Sequence, residues 1–397
     1  MKIPTKSTYF PPDIVTPSQM FEHLMVIVTN ILCKVGAPIF NENFTPINKK
    51  LILNLFILFL TTCLEIYNIS RFIQKELVRA IISIIGFTGC FQGLGKMYTF
   101  VNRRNQVIFL KDLSVKFFKK PHTQNAFSIY EKRLMQATHF IFFLSILFVF
   151  CFILFGLYPI IFKIFLNIDT VFLELEIPFI DWKNSLIGYV ANLFYGYYIV
   201  ICFILASIGS TFLIICFLAT AITHYDILKD LLKELNEITI QNNDENKNEK
   251  IKKLLKSITD IHVDLLNFMN IFANLFKFYY FMEIDGLFIQ MIISLYAIST
   301  FNFLPGYMII IAATFQIFMP CFFATFIIIK AEEFNESINN VSWYMMTTKD
   351  QKTLMMILKA SQKEKTLSTG IVELNISTFV EMYKAIYSYW MILQNLN

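Results

Sequence analysis

Residues 134–162 read LMQATHFIFFLSILFVFCFILFGLYPIIF, and no Asp, Glu, Lys or Arg interrupts them. Crossing the hydrocarbon of a bilayer takes roughly 20 mostly apolar residues in a helix. Lipid offers no partner to backbone N–H and C=O groups, so such a run must be helical to satisfy its own. Six more blocks of this kind lie outward from it, at about 51–70, 77–99, 187–221, 274–299, 305–330 and 374–396, the last being the most polar. Composition agrees. Of the 397 residues 56% are hydrophobic and 16% charged, where a soluble domain carries about 25% charged residues. The 44 Phe are more than a soluble core can hide. The fold class expected is therefore all-α integral membrane, with seven transmembrane helices. The first block begins at Leu51 behind a polar, Pro-rich leader, which is not the pattern of a cleaved signal peptide.

The positive-inside rule sets the orientation. Segments 1–50, 100–133, 222–273 and 331–373 hold most of the 34 Lys and Arg, in clusters such as Arg103-Arg104, Lys119-Lys120 and Lys252-Lys253. The opposite segments hold Arg71, Lys75, Lys163 and Lys183, with Arg79 just inside the second span. The expected topology has a cytosolic N-terminus and an extracellular C-terminus, the reverse of a G-protein-coupled receptor, and no cytosolic tail follows the seventh span. The net charge of +5 is explained by this topology and gives no reason to expect nucleic acid. The sequon Asn68-Ile69-Ser70 falls in the first outer loop, where glycosylation is topologically possible. Those at Asn43, Asn335, Asn340 and Asn375 are expected to be silent.

Chemistry-bearing motifs are sparse. The seven Cys (33, 63, 90, 151, 202, 216 and 321) show no paired spacing, and six sit inside apolar blocks, so they read as small buried hydrophobes. His23, His122, His139, His224 and His262 form no HxxxH or HExxH pair. Neither a phosphate-binding Gly loop nor a nucleophile elbow is present. No enzymatic activity, metal or cofactor is expected.

The inner segments have helical periodicity of their own. Leu228, Leu231, Leu232 and Leu235 continue the fourth span, and the polar run 241–250 makes a turn. Ile251, Leu254, Leu255, Ile258, Ile261 and Leu265 then lead into the fifth span. Segment 331–365 is also amphipathic. Such apolar faces need partners, within the chain or on other subunits. Residues 18–40 fit either a re-entrant or interfacial helix packed on the cytosolic side or an amphipathic helix lying on the headgroups. The loop between the third and fourth spans is net acidic, with Asp169, Glu174, Glu176 and Asp181. It either raises cation concentration near a pore mouth or is simply solvated.

The last 70 residues carry a specific resemblance. Trp343-Tyr344, then LMMILKASQKEKTLSTG at 354–370, then STFVEMYKAIYSYWMILQ at 377–394, resemble the signature of the insect odorant receptor family, and EIPFIDW at 176–182 resembles its outer-loop motif. Length and inverted topology fit along the whole chain. Two positions depart from the pattern: Lys363-Glu364 stands where Pro often follows the Ser-Gln pair, and Trp390 replaces the usual Phe-like residue. The short second inner loop resembles a tuning subunit rather than the co-receptor, Orco. The resemblance thus implies an odorant-gated, non-selective cation channel assembled with Orco as a heterotetramer in the plasma membrane of olfactory sensory neurons. It implies three regions: 1–50, a cytosolic N-terminal segment; 51–330, spans one to six with an outer-half odorant pocket; and 331–397, a cytosolic anchor helix and a pore-lining seventh span.

The resemblance also implies the site residues. The family's pocket lies among spans two, three, four and six, which selects Ser83, Phe87, Ser145, Phe148, Phe152, Tyr195, Tyr198, Ile311 and Phe315 as ligand-binding. The Tyr195 and Tyr198 hydroxyls are candidates to hydrogen-bond an odorant. In a chain this rich in Phe, ordinary core packing is the competing reading of each. Ser388, Ile392, Asn395 and Leu396 share one stripe of the seventh span. Similarity places the gate at Ile392 and Leu396 with Asn395 beside it, while a helix-packing face with Ser and Asn as interhelical glue is the plainer reading. Glu381 and Lys384, as intramembrane charges, have a functional reading, set against the plainer one that they reach the interface or line a wet inner vestibule. Gustatory-type channels and G-protein-coupled receptors are the alternatives, the former disfavoured by the last span and the latter by orientation. A transporter is disfavoured by the lack of an internal repeat.

Overall fold

The computed structural model describes residues 10–395 apart from 12–13, 15, 42–43, 45–47, 75, 167–169, 179, 181, 242–245 and 363–365. Asn43, Lys75, Asp169, Asp181, Lys363, Glu364 and Leu396, all singled out above, lie outside the described residues. Ten α-helices are present among those described: α1 (Pro17–Lys34), α2 (Lys49–Phe72), α3 (Leu77–Asn102), α4 (Arg104–Lys119), α5 (Ala126–Leu166), α6 (Leu186–Ile240), α7 (Lys247–Phe301), α8 (Pro305–Asn339), α9 (Thr348–Ser361) and α10 (Ile376–Asn395). Two 3-10 turns, Phe172–Glu174 and Trp343–Met345, join them, and the described residues form no β-strand beyond an isolated bridge between Ser368 and Glu373.

Six helices (α2, α3, α5, α6, α7 and α8) are long and apolar enough to cross a membrane. The seventh expected span, α10, is a 20-residue helix carrying Glu381 and Lys384 and is more polar. Helices α6 and α7 have 55 residues each, which at 1.5 Å per residue is about 80 Å, far beyond the ~30 Å of hydrocarbon. Their ends at Ile240 and Lys247 therefore project from the apolar bundle, and with α1, α4, α9 and the end of α8 they build what we term the anchor end. The Leu228–Leu235 stripe of α6 and the Ile251–Leu265 stripe of α7 meet there, almost all of their apolar residues fully buried. These faces find their partners within the chain.

Local signals account for the boundaries. Thr16 and Gln19 form a reciprocal capping box in front of α1, with Pro17 in its first turn. The Ser185 hydroxyl accepts from the Gly188 amide at the start of α6, and that of Thr347 from Asp350 at the start of α9. Pro305 opens α8 after Asn302 turns the chain through a left-handed conformation. Helix α1 buries Met20, Phe21, Leu24, Val28 and Leu32 against α4, α5 and α6, so it is packed on the bundle. Segment 100–133, read above only by its charge, contains α4, whose Val107, Leu110, Ser114 and Phe117 are buried at helical spacing.

Between Leu134 and Phe162 helix α5 carries no charged residue and is apolar on both its inner and outer faces. It buries Leu134, Ala137, Ile141 and Leu144 and exposes Phe142, Phe143, Ile146, Phe150 and Ile153, a surface suited to lipid tails. Asn68 lies inside α2 with its side chain wholly buried, not in a loop, and in this conformation it offers no site for a glycan.

Candidate ligand-binding site

A cavity of about 210 Å³ lies among α2, α3, α5, α6, α7 and α8, running from Val35 at the end of α1 to Leu173 in the connection between α5 and α6. Small residues open it. Three glycines of α3, Gly86, Gly89 and Gly93, face it, and a Cβ added at Gly89 would meet nothing within 4 Å. The walls are mainly apolar: Ile57 and Leu58 from α2, Phe148 and Phe155 from α5, Phe203 and Ile204 from α6, Met308 and Ile309 from α8. Polar atoms are few. Tyr198 donates to Asn54 Oδ1, and Asn54 in turn donates to the Val35 carbonyl. Gln290 accepts from Gln92 at 3.2 Å. Gln316 faces the cavity from α8, and its Oε1 is buried with no hydrogen-bond partner among the described residues.

A loop closes the end remote from the anchor. Leu173 lines the cavity and holds φ 50° and ψ 31°, a left-handed conformation that a leucine adopts only when its surroundings enforce it. Those surroundings are explicit. Tyr158 donates to the Val171 carbonyl at 2.9 Å and accepts from the Leu173 amide at 3.2 Å. The Phe172 ring lies over Gly196, where a Cβ would come within 2.5 Å of it, and meets Tyr197 edge-on at 4.6 Å. Glu176 accepts from Arg79 at 3.0 Å, from Arg71 at 3.2 Å and from the Trp182 indole at 3.2 Å. The motif EIPFIDW therefore straps the loop to α2 and α3, and the charge of Glu176 is paired rather than free in solvent.

Beneath the cavity, toward the anchor end, lies a buried ion pair. Lys96 Nζ of α3 is 2.9 Å from Glu283 Oε1 of α7, donates to Ser207 Oγ at 2.7 Å and sits 4.8 Å from the centre of the Phe203 ring. Ser207 and Phe203 are on the cavity wall. Next to the pair a second, smaller chamber of about 60 Å³ lies among α5, α6, α7 and α8.

The residues named from sequence divide accordingly. Phe148 lines both spaces, Tyr198 the larger and Phe315 the smaller. Tyr195 is not on either wall, and its hydroxyl is 2.9 Å from that of Thr61. Ser145 donates to the Ile141 carbonyl one turn back at 2.8 Å. Ile311 is 44% exposed on the outer surface of α8, one step around the helix from the lining Ala312. Ser83 is fully buried near Glu65, and Phe87 is half-buried off the wall. The side chain of Phe152 is outside what is described. On α10, Ser388, Ile392 and Asn395 are all exposed, as are Glu381 and Lys384. The opposite face, with Phe379, Tyr383, Ile386 and Leu393, packs on α7 and α8.

Lys96, Glu283 and Gln316 were missed by the sequence reading. Lys96 and Glu283 stand inside apolar blocks, where a charge marks a function or a partner; counting only loop charges passed over them. Gln316 had no such signal, because a lone Gln in an apolar block says nothing of which wall it faces.

Comparison with known proteins accords with this architecture. Solved structures of the insect olfactory receptor OR5 from Machilis hrabei, alone and in complex with eugenol, each superpose with a TM-score of 0.78 at 17% identity, over 95% of this chain and 100% of that one. At that identity the likeness speaks for the fold. The family model described as 7tm Odorant receptor matches residues 51–387, from the second helix into the last. The chain is thus a multi-pass membrane protein of a receptor family rather than an enzyme, and it belongs to the 7tm odorant receptor family.

Proposed function

We propose that this chain is the odorant-binding, tuning subunit of a heteromeric, odorant-gated, non-selective cation channel, assembled with the co-receptor Orco in the plasma membrane of olfactory sensory neurons. One observation carries the reading: the chain keeps a mainly apolar cavity within the helix bundle and an uncovered helix stripe as separate surfaces. The cavity of about 210 Å³ is below the ~300–1,000 Å³ of drug-sized sites and suits a small volatile molecule held by shape. The stripe Ser388, Ile392 and Asn395 of α10, exposed in the single chain, alternates polar and apolar groups as a pore wall with a narrow apolar gate requires. Four such helices, one per subunit, meet on it, with Leu396 continuing the gate. The basic anchor end faces the cytosol, and exposed Trp343, Tyr344, Met355 and Met356 there supply contacts to neighbouring subunits.

An odorant works by binding the open arrangement better than the closed one. It fills the cavity against Phe148, Phe155 and Tyr198, shifts the helices around α10, and dilates the ring at Ile392.

The test is current in oocytes expressing the chain with and without the co-receptor, under a broad panel of volatiles. Odorant-evoked cation current that needs both chains, with an odour ranking altered by Phe148→Ala, supports the proposal. Current that depends on a functional G protein overturns it.

A further inference from the structure

The chamber of about 60 Å³ beside the ion pair is lined by Glu283 and Tyr280 of α7 and by Gln316 of α8. Each carries a polar atom that is buried and without a hydrogen-bond partner among the described residues: Glu283 Oε2, Tyr280 Oη and Gln316 Oε1. Glu283 is 5% and Tyr280 3% exposed. Leaving three such atoms unsatisfied around one space is costly, so the space is built for a polar occupant. It is also not separate from the main cavity, because Phe148, Cys151, Ala312 and Gln316 line both.

We propose that this chamber is a polar subsite that takes the hydroxyl of an alcohol or phenol whose apolar body fills the larger cavity. The proposal rests on the odorant-receptor reading and deepens it. Glu283 Oε1 is held by Lys96, so Oε2 is left as an acceptor that demands a donor. The incoming hydroxyl gives its one proton to Oε2, and its oxygen then accepts from the Tyr280 hydroxyl. Aldehydes, ketones and ethers bring only acceptors and leave the carboxylate oxygen unpaired. An amine brings a donor, but as an ammonium it adds a second cation to a buried pair that Lys96 already neutralises, and low-dielectric burial penalises that excess charge. A neutral hydroxyl answers both constraints.

The experiment is a matched series of equal chain length (primary alcohol, methyl ether, aldehyde and primary amine) applied to the receptor with its co-receptor, to the double variant Lys96→Met/Glu283→Leu and to Tyr280→Phe. The double variant removes the acceptor Glu283 Oε2 and strands no charge; Tyr280→Phe preserves bulk and leaves the ion pair intact. In the native protein the alcohol is expected to act at a half-maximal concentration at least about tenfold below the ether, the worth of one well-made hydrogen bond. In the double variant the ratio falls toward one, whereas in Tyr280→Phe alcohol and ether lose potency together and the ratio stays. A thermal-shift comparison of alcohol and ether on the purified receptor complex reads binding alone. Equal potency of alcohol and ether in the native protein, or a tenfold preference surviving the double variant, overturns the subsite. A surface-expressed complex silent to this series and to every other volatile sinks the receptor reading itself, a result distinct from an unselective response.

Discussion

Lys96 Nζ lies 2.9 Å from Glu283 Oε1, with side chains 1% and 7% exposed, at the contact between α3 and α7. That contact is the most extensive between any two helices of the chain. Glycines bring the backbones together on either side of the pair: a Cβ at Gly95 would fall 2.5 Å from Met282 Cβ, and one at Gly286 2.8 Å from Gln92 Cγ. The ion pair is therefore locked at a fixed register of two tightly apposed helices, directly under the cavity.

Breaking one half of a buried pair strands the other charge. Lys96→Met or Glu283→Leu alone is expected to cost about 3–5 kcal/mol. The double variant leaves no stranded charge and is expected to recover most of that. Thermal unfolding of the four proteins in detergent checks this as a double-mutant cycle. Additive single-site losses would show that the two residues are not coupled.

Gly89 and Gly86 are three residues apart on α3 but predict opposite outcomes. Nothing stands within 4 Å of a Cβ at Gly89, so Gly89→Val is expected to leave stability within about 1 kcal/mol while removing cavity volume. Potency should fall at least tenfold for the bulkiest ligands and little for the smallest. A Cβ at Gly86 would be 2.2 Å from Glu65 Oε1, so Gly86→Val must push the buried Glu65 carboxyl aside and is expected to lower the thermal midpoint more than Gly89→Val does. Equal ligand responses in Gly89→Val and the native protein would place the ligand elsewhere.

The membrane architecture was legible because apolar blocks of about twenty residues have one solution in lipid, and the Leu228–Leu235 and Ile251–Leu265 stripes announced the anchor helices. Cavity membership was harder. Phe148 and Ile311 are both apolar residues in apolar helices, yet one lines the cavity and the other is 44% exposed. Periodicity that separates core from solvent in a soluble helix is silent when the outside is lipid, since both faces are apolar. Asn68 shows the same limit: its sequon sits at the end of an expected span, and only the packing of α2, which buries the Asn68 side chain completely, shows that it faces inward. Lys96 and Glu283 were visible as charges within spans, and their pairing required the register of α3 against α7.

At the anchor end the Phe117 ring stacks on His122 at 5.2 Å and on His224 at 3.5 Å between centroids. Burial holds the His122 pKa below its usual 6.5, Lys120 adds to the lowering, and Asp264 with the hydrogen bond to the Phe117 backbone opposes it. The folded state thus prefers neutral His122. Above pH 6.5 neither state is protonated there and nothing changes; below it the unfolded chain binds the proton first, so stability falls. The midpoint of thermal unfolding should drop between pH 7.5 and pH 5.5, and His122→Gln, which keeps a donor for the Phe117 carbonyl, should flatten the drop. An unchanged slope in that variant would assign the acid sensitivity to other groups.

The two faces of α10 make separate predictions for folding and for the proposed gate. Ile386 is 2% exposed and packs with Leu287, Ile292 and Ile317 of α7 and α8. Tyr383 donates to Thr314, and the Trp390 indole donates to Ser299 at 3.3 Å. Truncating this face removes contacts every subunit needs, so Ile386→Ala is expected to cost about 2–5 kcal/mol and to reduce surface delivery. Ile392 is 54% exposed in the single chain and contributes little to its stability, so Ile392→Ala should reach the surface normally. In the proposed channel the same change would widen the constriction and should raise current in the absence of odorant. Surface biotinylation paired with resting conductance tells the two apart. If Ile392→Ala lowers surface level as Ile386→Ala does and leaves resting current unchanged, the exposed stripe is a packing face and the pore must be lined by other residues.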